Sequence, residues 1–326
     1  MQAILFVTAP FFAIVLCGYL AARQHVLPES AIPGLNAFVL YFALPCMLFR
    51  FGMNTPILEL LNPALLGVYL LCALLMVFAT IAFTLSDRVH LKDAAFGALV
   101  AAFPNTGFMG FPLLIGLLGE KVAGPLIGCI LIDIVVTSSL CLALAQLRPA
   151  SETATQHGVL APFGRALRGA LSNPLPWAIA LGAIVAATSL PLPGPVKEIV
   201  RMLGDSATPV ALFTIGAVLW RAQQHAHSRT PLREFLPVAL VKLFVHPLLV
   251  LSGGVVANAA GATVSPFALT VLVLNAALPS ASNVAILAER YGADNGRIAR
   301  IIMSSTVLAF ATFTALAWLF GIKPAG

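Results

Sequence analysis

Asn105 and Thr106 stand directly after Pro104, and Ser280, Ser282 and Asn283 follow Pro279, all inside apolar stretches of membrane length. No histidine or carboxylate lies in either motif to activate a hydroxyl, so these groups suit ligand binding better than covalent chemistry. Each proline removes a backbone donor and clashes with the carbonyl one turn back, so both helices are expected to break there. In hydrocarbon a break is costly unless its freed polar groups line a protein cavity or water. One break reads as a kink. Two at corresponding places in the halves of a chain point to a substrate site near the bilayer midplane.

The residues after each break set up the start of a second half-helix. Asn105 and Thr106 are suited to cap it, and Gly107 and Gly110 allow close backbone approach. A helix N-terminus aimed into a cavity offers free N–H groups and about half a positive charge, which suits a carboxylate. The second break repeats the design, with Asn275 one turn before it. The expected substrate-binding set is Pro104, Asn105, Thr106, Gly107, Asn275, Pro279, Ser280, Ser282 and Asn283. Packing kinks are the plainer alternative, since glycine and proline are frequent in membrane helices; polar residues at both breaks favour the site.

Ionisable residues within the spans are Asp133, Asp205, Lys242 and His246. Such groups are functional candidates that face the interior or a partner. Lys242 reads either as an anion-attracting or proton-coupled group or as the structural partner of Asp133. His246 shares its face at i, i+4 spacing and reads more simply as a hydrogen-bonded packing residue. Asp133, Lys242 and His246 are the coupling candidates. Asp205 is near the end of its span and is expected in water.

The elements that must hold these residues follow from composition. Of 326 residues, 60% are hydrophobic and 9% charged, with mean hydropathy +0.99, against roughly 25% charged in a soluble domain. The chain is an all-α integral membrane protein. Its net charge of +6 is spread over short connectors, where topology accounts for it without nucleic acid. The five cysteines lie in apolar runs without metal or disulfide spacing and read as small buried hydrophobes. The first positive charge, Arg23, comes after the first apolar run, so that run reads as a true span and not as a cleaved signal.

A window of about 19 residues yields ten candidate spans, roughly 3–22, 33–51, 63–85, 94–118, 122–146, 174–190, 198–220, 236–258, 265–288 and 298–320. The second, seventh and ninth are the weakest, because they contain Pro45, Pro209 and Pro279. A polar connector at 148–172, carrying Arg148, Glu152, His157, Arg165 and Arg168, divides repeats at 1–147 and 173–326. Pro10, Gly18, Pro45 and Phe49 recur 164 positions later as Pro174, Gly182, Pro209 and Phe213, and Pro104 recurs 175 later as Pro279. Five spans is an odd number, so the second repeat inserts inverted. Lys and Arg number twelve on one side of the membrane and five on the other, counted with Arg50, Lys121, Lys197, Arg201 and Lys323 on the side of the termini. That puts the termini outside and the central loop in the cytoplasm.

Pro104-Asn105-Thr106-Gly107-Phe108-Met109-Gly110-Phe111-Pro112-Leu113-Leu114 resembles the Leu-Pro-Asn-Thr-x-x-Met-Gly-x-Pro-Leu-Leu stretch of the auxin efflux carrier family. Leu278-Pro279 through Val284 to Glu289-Arg290-Tyr291 is similar to that family's Leu-Pro…Lys-Glu-Tyr segment, and weaker echoes span the whole chain. The resemblance implies ten helices in two inverted five-helix repeats, with proline-broken fourth and ninth helices that cross. It implies a dimerising scaffold of spans 1, 2, 6 and 7, a moving transport domain and elevator-type alternating access. Plant members carry auxin, a carboxylate, and bacterial members include permeases assigned to malonate or malate. Here the central loop is short, Lys242 stands where plant members have arginine, and the ninth-span break is more polar. These departures favour a small, polar anion.

The expectation is a secondary transporter of an organic carboxylate, in the cell's inner membrane, with a proton or sodium ion as possible co-substrate and lipid and a second copy as partners. The alternative is a sodium or proton antiporter of similar crossed-helix fold, although neither break contains a carboxylate. No HExxH, GxSxG or P-loop is present, so neither an enzyme nor a cofactor is indicated, and any driving force comes from gradients or voltage.

Overall fold

The computed structural model describes residues 2–54, 62–147, 164, 168, 171–224 and 230–322. In chain order the helices are α1 (Gln2–Arg23), α2 (Glu29–Asn54), α3 (Pro63–Thr84), α4 (Leu91–Ala102), α5 (Thr106–Leu118), α6 (Glu120–Ala145), α7 (Pro174–Thr188), α8 (Gly194–Gln224), α9 (Leu232–Ala259), α10 (Pro266–Ala276), α11 (Asn283–Tyr291) and α12 (Asn295–Leu319). Seven of them, α1, α2, α3, α6, α8, α9 and α12, are long and apolar enough to cross a membrane. The others are shorter, and α4–α5 and α10–α11 are the pieces of the two interrupted stretches. Of the connector at 148–172, Arg148, Glu152, His157 and Arg165 lie outside the described residues, as do Arg229 and Lys323.

Helix starts follow local chemistry. Asn62, Asn173 and Ser265 each precede a proline that opens a helix, and each side chain accepts from an amide in the first turn. Proline there loses nothing, since the first-turn N–H groups have no helical acceptor. Interior prolines fare differently. Pro45 and Pro209 do not interrupt α2 and α8. Pro45, Pro112 and Pro247 each follow a π-helical turn, at Val39–Ala43, Thr106–Gly110 and Val241–Val245. The wider turn shifts the hydrogen-bond register where the proline lacks its donor.

Helices α1 and α8, and α2 and α7, approach until backbone meets backbone. A Cβ on Gly18 would stand 1.9 Å from the Phe213 carbonyl oxygen, and one on Gly182 would stand 2.2 Å from that of Phe49. Gly216 meets the Val15 carbonyl and Gly52 that of Ile179 in the same way. All four equivalences, 18 with 182, 52 with 216, 15 with 179 and 49 with 213, share the offset of 164. Arg50 and Arg201 both pair with Asp205 in the exposed first half of α8, at 2.6 and 3.0 Å.

The main apolar core runs through α4, α5, α6 and α12, with Phe96, Phe111, Leu114, Leu126, Ile302 and Phe313 buried in it. Phe6, Trp177, Leu248 and Val256 face outward, as lipid allows. Two expectations change. Cys72, Cys129 and Cys141 are buried and Cys46 partly so, but Cys17 is exposed on α1, whose outer face buries little. Arg297, counted among the connector charges, is buried. Its guanidinium donates to the carbonyls of Glu234 and Asp93, both at 2.9 Å, and so ties α4, α9 and α12 together.

Candidate functional site

Both helices stop at the prolines. Phe103, ahead of Pro104, is extended (φ −98°, ψ 99°), the conformation a following proline enforces. The two interrupted stretches cross there and join by backbone: Asn105 N–H donates to Pro279 O at 2.9 Å, and Ala281 N–H to Phe103 O at 3.0 Å. This antiparallel bridge between Pro104 and Ser280 satisfies groups that the breaks set free.

The side chains around the crossing divide into two sets. Thr106 donates to Asn275 Oδ1 at 2.9 Å, so the two breaks are also joined by side chains. Asn275 donates to Tyr69 at 3.5 Å, and Ser280 is held through Ser305, which accepts from its amide and donates to its hydroxyl, both at 3.2 Å. Asn105 and Ser282 are buried and Asn283 partly buried, and none of the three side chains is hydrogen-bonded among the described residues. No bond ties the amides of Gly107 and Phe108, or of Ser282 and Asn283, to another described group.

The expected caps are absent. Asn105 and Ser282 precede α5 and α11, but neither side chain bonds a first-turn amide. The Asn105 carbonyl accepts from both Met109 and Gly110, the opening bonds of the π-helical turn, and the Gly107 and Phe108 amides before them stay open. Nor does Gly110 admit another backbone. The Leu278 and Asn275 side chains press on it, a Cβ there falling 2.7 Å from Leu278 Cδ1.

Helices α3, α6 and α9 bring the ionisable groups to the α10 side. Asp133, opening a π-helical turn of α6, accepts from Tyr69 at 2.8 Å and from Thr137 at 3.3 Å. Lys242 lies in the π-helical turn of α9, fully buried, and donates to Ala276 O at 2.9 Å. That carbonyl ends α10, so the cation neutralises the negative end of a half-helix. Lys242 Nζ also meets His246 Nδ1 at 2.9 Å, and the other ring nitrogen of His246 is buried without a partner. Lys242 and Asp133, weighed from sequence as a structural pair, do not form an ion pair within 4 Å: Asp133 is held by Tyr69, which also accepts from Asn275, while Lys242 bonds the carbonyl of the next residue, Ala276. Tyr69 lies beside His246, ring centroids 6.3 Å apart.

Sequence reasoning missed Tyr69, Thr137 and Ser305. Tyr69 stands alone in an apolar stretch, and Thr137 and Ser305 sit in short hydroxyl runs (Thr137-Ser138-Ser139 and Ser304-Ser305-Thr306) whose members can merely bond their own backbone, as Ser138 and Thr306 do here. Only their buried side-chain partners distinguish them.

This arrangement can hold an anion by neutral donors beside two half-helix starts, with a fixed cation behind one of them. The comparisons with known proteins agree with a transport role. A family model described as membrane transport protein matches residues 3–319. A Rhizobium meliloti (strain 1021) protein named "Putative malonate transporter" is 30% identical over 323 residues, covering 97% of this chain and 96% of that protein. An "Uncharacterized transporter YfdV" of Escherichia coli (strain K12) is 27% identical over 316 residues, 95% of each chain. An "Uncharacterized transporter" of Methanothermobacter thermautotrophicus is 26% identical over 306 residues, 92% of each. With a full-length family match and a 30% identical relative covered end to end, the chain belongs to the membrane transport protein family, the auxin efflux carriers that its Pro104 motif resembles.

Proposed function

We propose that this protein is a secondary transporter of a small organic carboxylate, with a dicarboxylate of malonate or malate size as the best fit and auxin-like monocarboxylates as poorer ones. The observation that carries the reading is the crossing itself, where Asn105, Ser282 and Asn283 have unused polar groups next to the starts of α5 and α11. Two facing half-helix starts suit an anion with a carboxylate at each end. Lys242 adds a positive charge that no carboxylate among the described residues neutralises within 4 Å. The relative named for malonate points the same way.

In this reading residues 1–147 and 173–326 are inverted five-span repeats around the cytoplasmic connector 148–172. The glycine–carbonyl contacts at constant offset support the repeat. Helices α1, α2, α7 and α8 form a rigid, dimerising scaffold, and the remaining helices move the crossing across the membrane as an elevator. The protein resides in the inner membrane with both termini outside. Voltage alone drives an anion by about 2.3 kcal/mol per charge per 100 mV.

A proton- or sodium-coupled exchanger is the second reading. It is favoured by Asp133, buried with two hydroxyl donors and no cation among the described residues within 4 Å. Purified protein in liposomes decides between them. Saturable uptake of radiolabelled malonate under an imposed potential is expected. Flux of no mono- or dicarboxylate would overturn the carrier reading, and cation-dependent flux without an organic anion would establish the exchanger.

A further inference from the structure

A cavity of about 390 Å³ lies away from the crossing, between the end of α3, the α3–α4 connection, the start of α9 and Arg297 of α12. Its lining includes Arg88, Arg233 and Arg297 against a single carboxylate, Glu234, a surplus of two positive charges. Arg88 reaches Glu234 only at 3.9 Å and is 68% exposed, and Arg233 is exposed with no ion pair among the described residues. Arg297 is buried, and among the described residues two of its five guanidinium N–H donors are engaged, by the Asp93 and Glu234 carbonyls. The guanidinium is therefore fixed in place with donors to spare.

The shoulder of the cavity has the opposite character. Phe83 lines it at 67% exposure, and Leu232, next to Arg233, is equally exposed. Phe83 stands one residue before α3 ends, at the level where apolar helix gives way to polar connector. Cationic groups below exposed apolar side chains at a membrane boundary match a phosphate joined to acyl chains.

We propose that this cavity binds the headgroup of an anionic phospholipid. The shared chemistry is a phosphate monoanion held by arginines, which a soluble phosphate ester would also offer. The apolar shoulder selects the lipid. The site uses none of the crossing residues, so its occupancy is separable from substrate transport.

Native mass spectrometry of the full-length protein in nonionic detergent tests this, with phosphatidylglycerol and phosphatidylcholine titrated separately and glycerol 1-phosphate as soluble competitor. The wild type is expected to retain phosphatidylglycerol over phosphatidylcholine. Arg88→Gln/Arg233→Gln is expected to retain it roughly 30-fold less, the effect of two arginines at a charged membrane surface. Arg88→Lys/Arg233→Lys should keep most of the binding, and Arg290→Gln, an exposed arginine outside the cavity, should leave it unchanged. Equal retention of the two lipids, unchanged retention in the Gln pair, or displacement by equimolar glycerol 1-phosphate would each overturn the proposal. Matching unfolding temperatures confirm that the Gln pair is folded.

Discussion

One residue after Pro104 stands Asn105, buried with its side chain unpaired; one residue after Pro279 stands Ser280, anchored twice to Ser305. The ends of the preceding half-helices differ too. At α4 the Phe103 carbonyl is met by the Ala281 amide, whereas at α10 the Ala276 carbonyl is met by the Lys242 ammonium. The residues 174 and 175 positions before Lys242 are Val68 and Gly67, so the first break has no cation of its own from this place. Similar proline breaks, joined by backbone, thus differ in how their side chains are satisfied. The first break offers an open amide beside its proline, while the second is fastened there and leaves Ser282 and Asn283 open farther along. Two proline breaks of similar backbone can therefore have their polar side chains fastened on one side and open on the other.

Substitutions test that contrast. Lys242→Met would leave the Ala276 carbonyl and His246 Nδ1 buried without their donor, at a cost of about 3 kcal/mol. A marked fall in unfolding temperature in detergent is expected; an unchanged one would mean that the α10 end needs no cation. Asn275→Ala strips Thr106 and Tyr69 of their shared partner and should cost about 2 kcal/mol by the same assay. Ser305→Ala releases Ser280 and should cost about 1 kcal/mol, with malonate affinity nearly retained because Ser305 acts behind the site. If Ser305→Ala lowered affinity more than stability, the fastened half of the crossing would itself be a ligand surface.

The two breaks were legible in the sequence because a proline's missing donor is a local property that no tertiary contact restores. The intact helices at Pro45 and Pro209 show the limit of that argument. At Pro45 the preceding π-helical turn takes up the lost bond, and nothing in a single sequence announces it. Polar residues at the crossing were legible as a group, but not which were already engaged. Thr106 and Asn275 are 169 positions apart, and Ser280, in the second break, meets Ser305 of α12, 25 positions on. The caps expected after the breaks did not form either: the Asn105 carbonyl takes the first bonds of the π-helical turn and the Thr106 hydroxyl turns to Asn275, so the Gly107 and Phe108 amides stay open.

Malonate binding to purified wild type and Asn105→Ala, followed by ligand-induced thermal stabilisation, tests the account most directly. Losing one hydrogen bond to a carboxylate is worth about 1.5–3 kcal/mol, or roughly 10- to 150-fold in affinity. Asn105→Ala is expected to lose the stabilisation by malonate while unfolding near the wild-type temperature without it. Undiminished stabilisation in Asn105→Ala would contradict the assignment of the open break to the substrate.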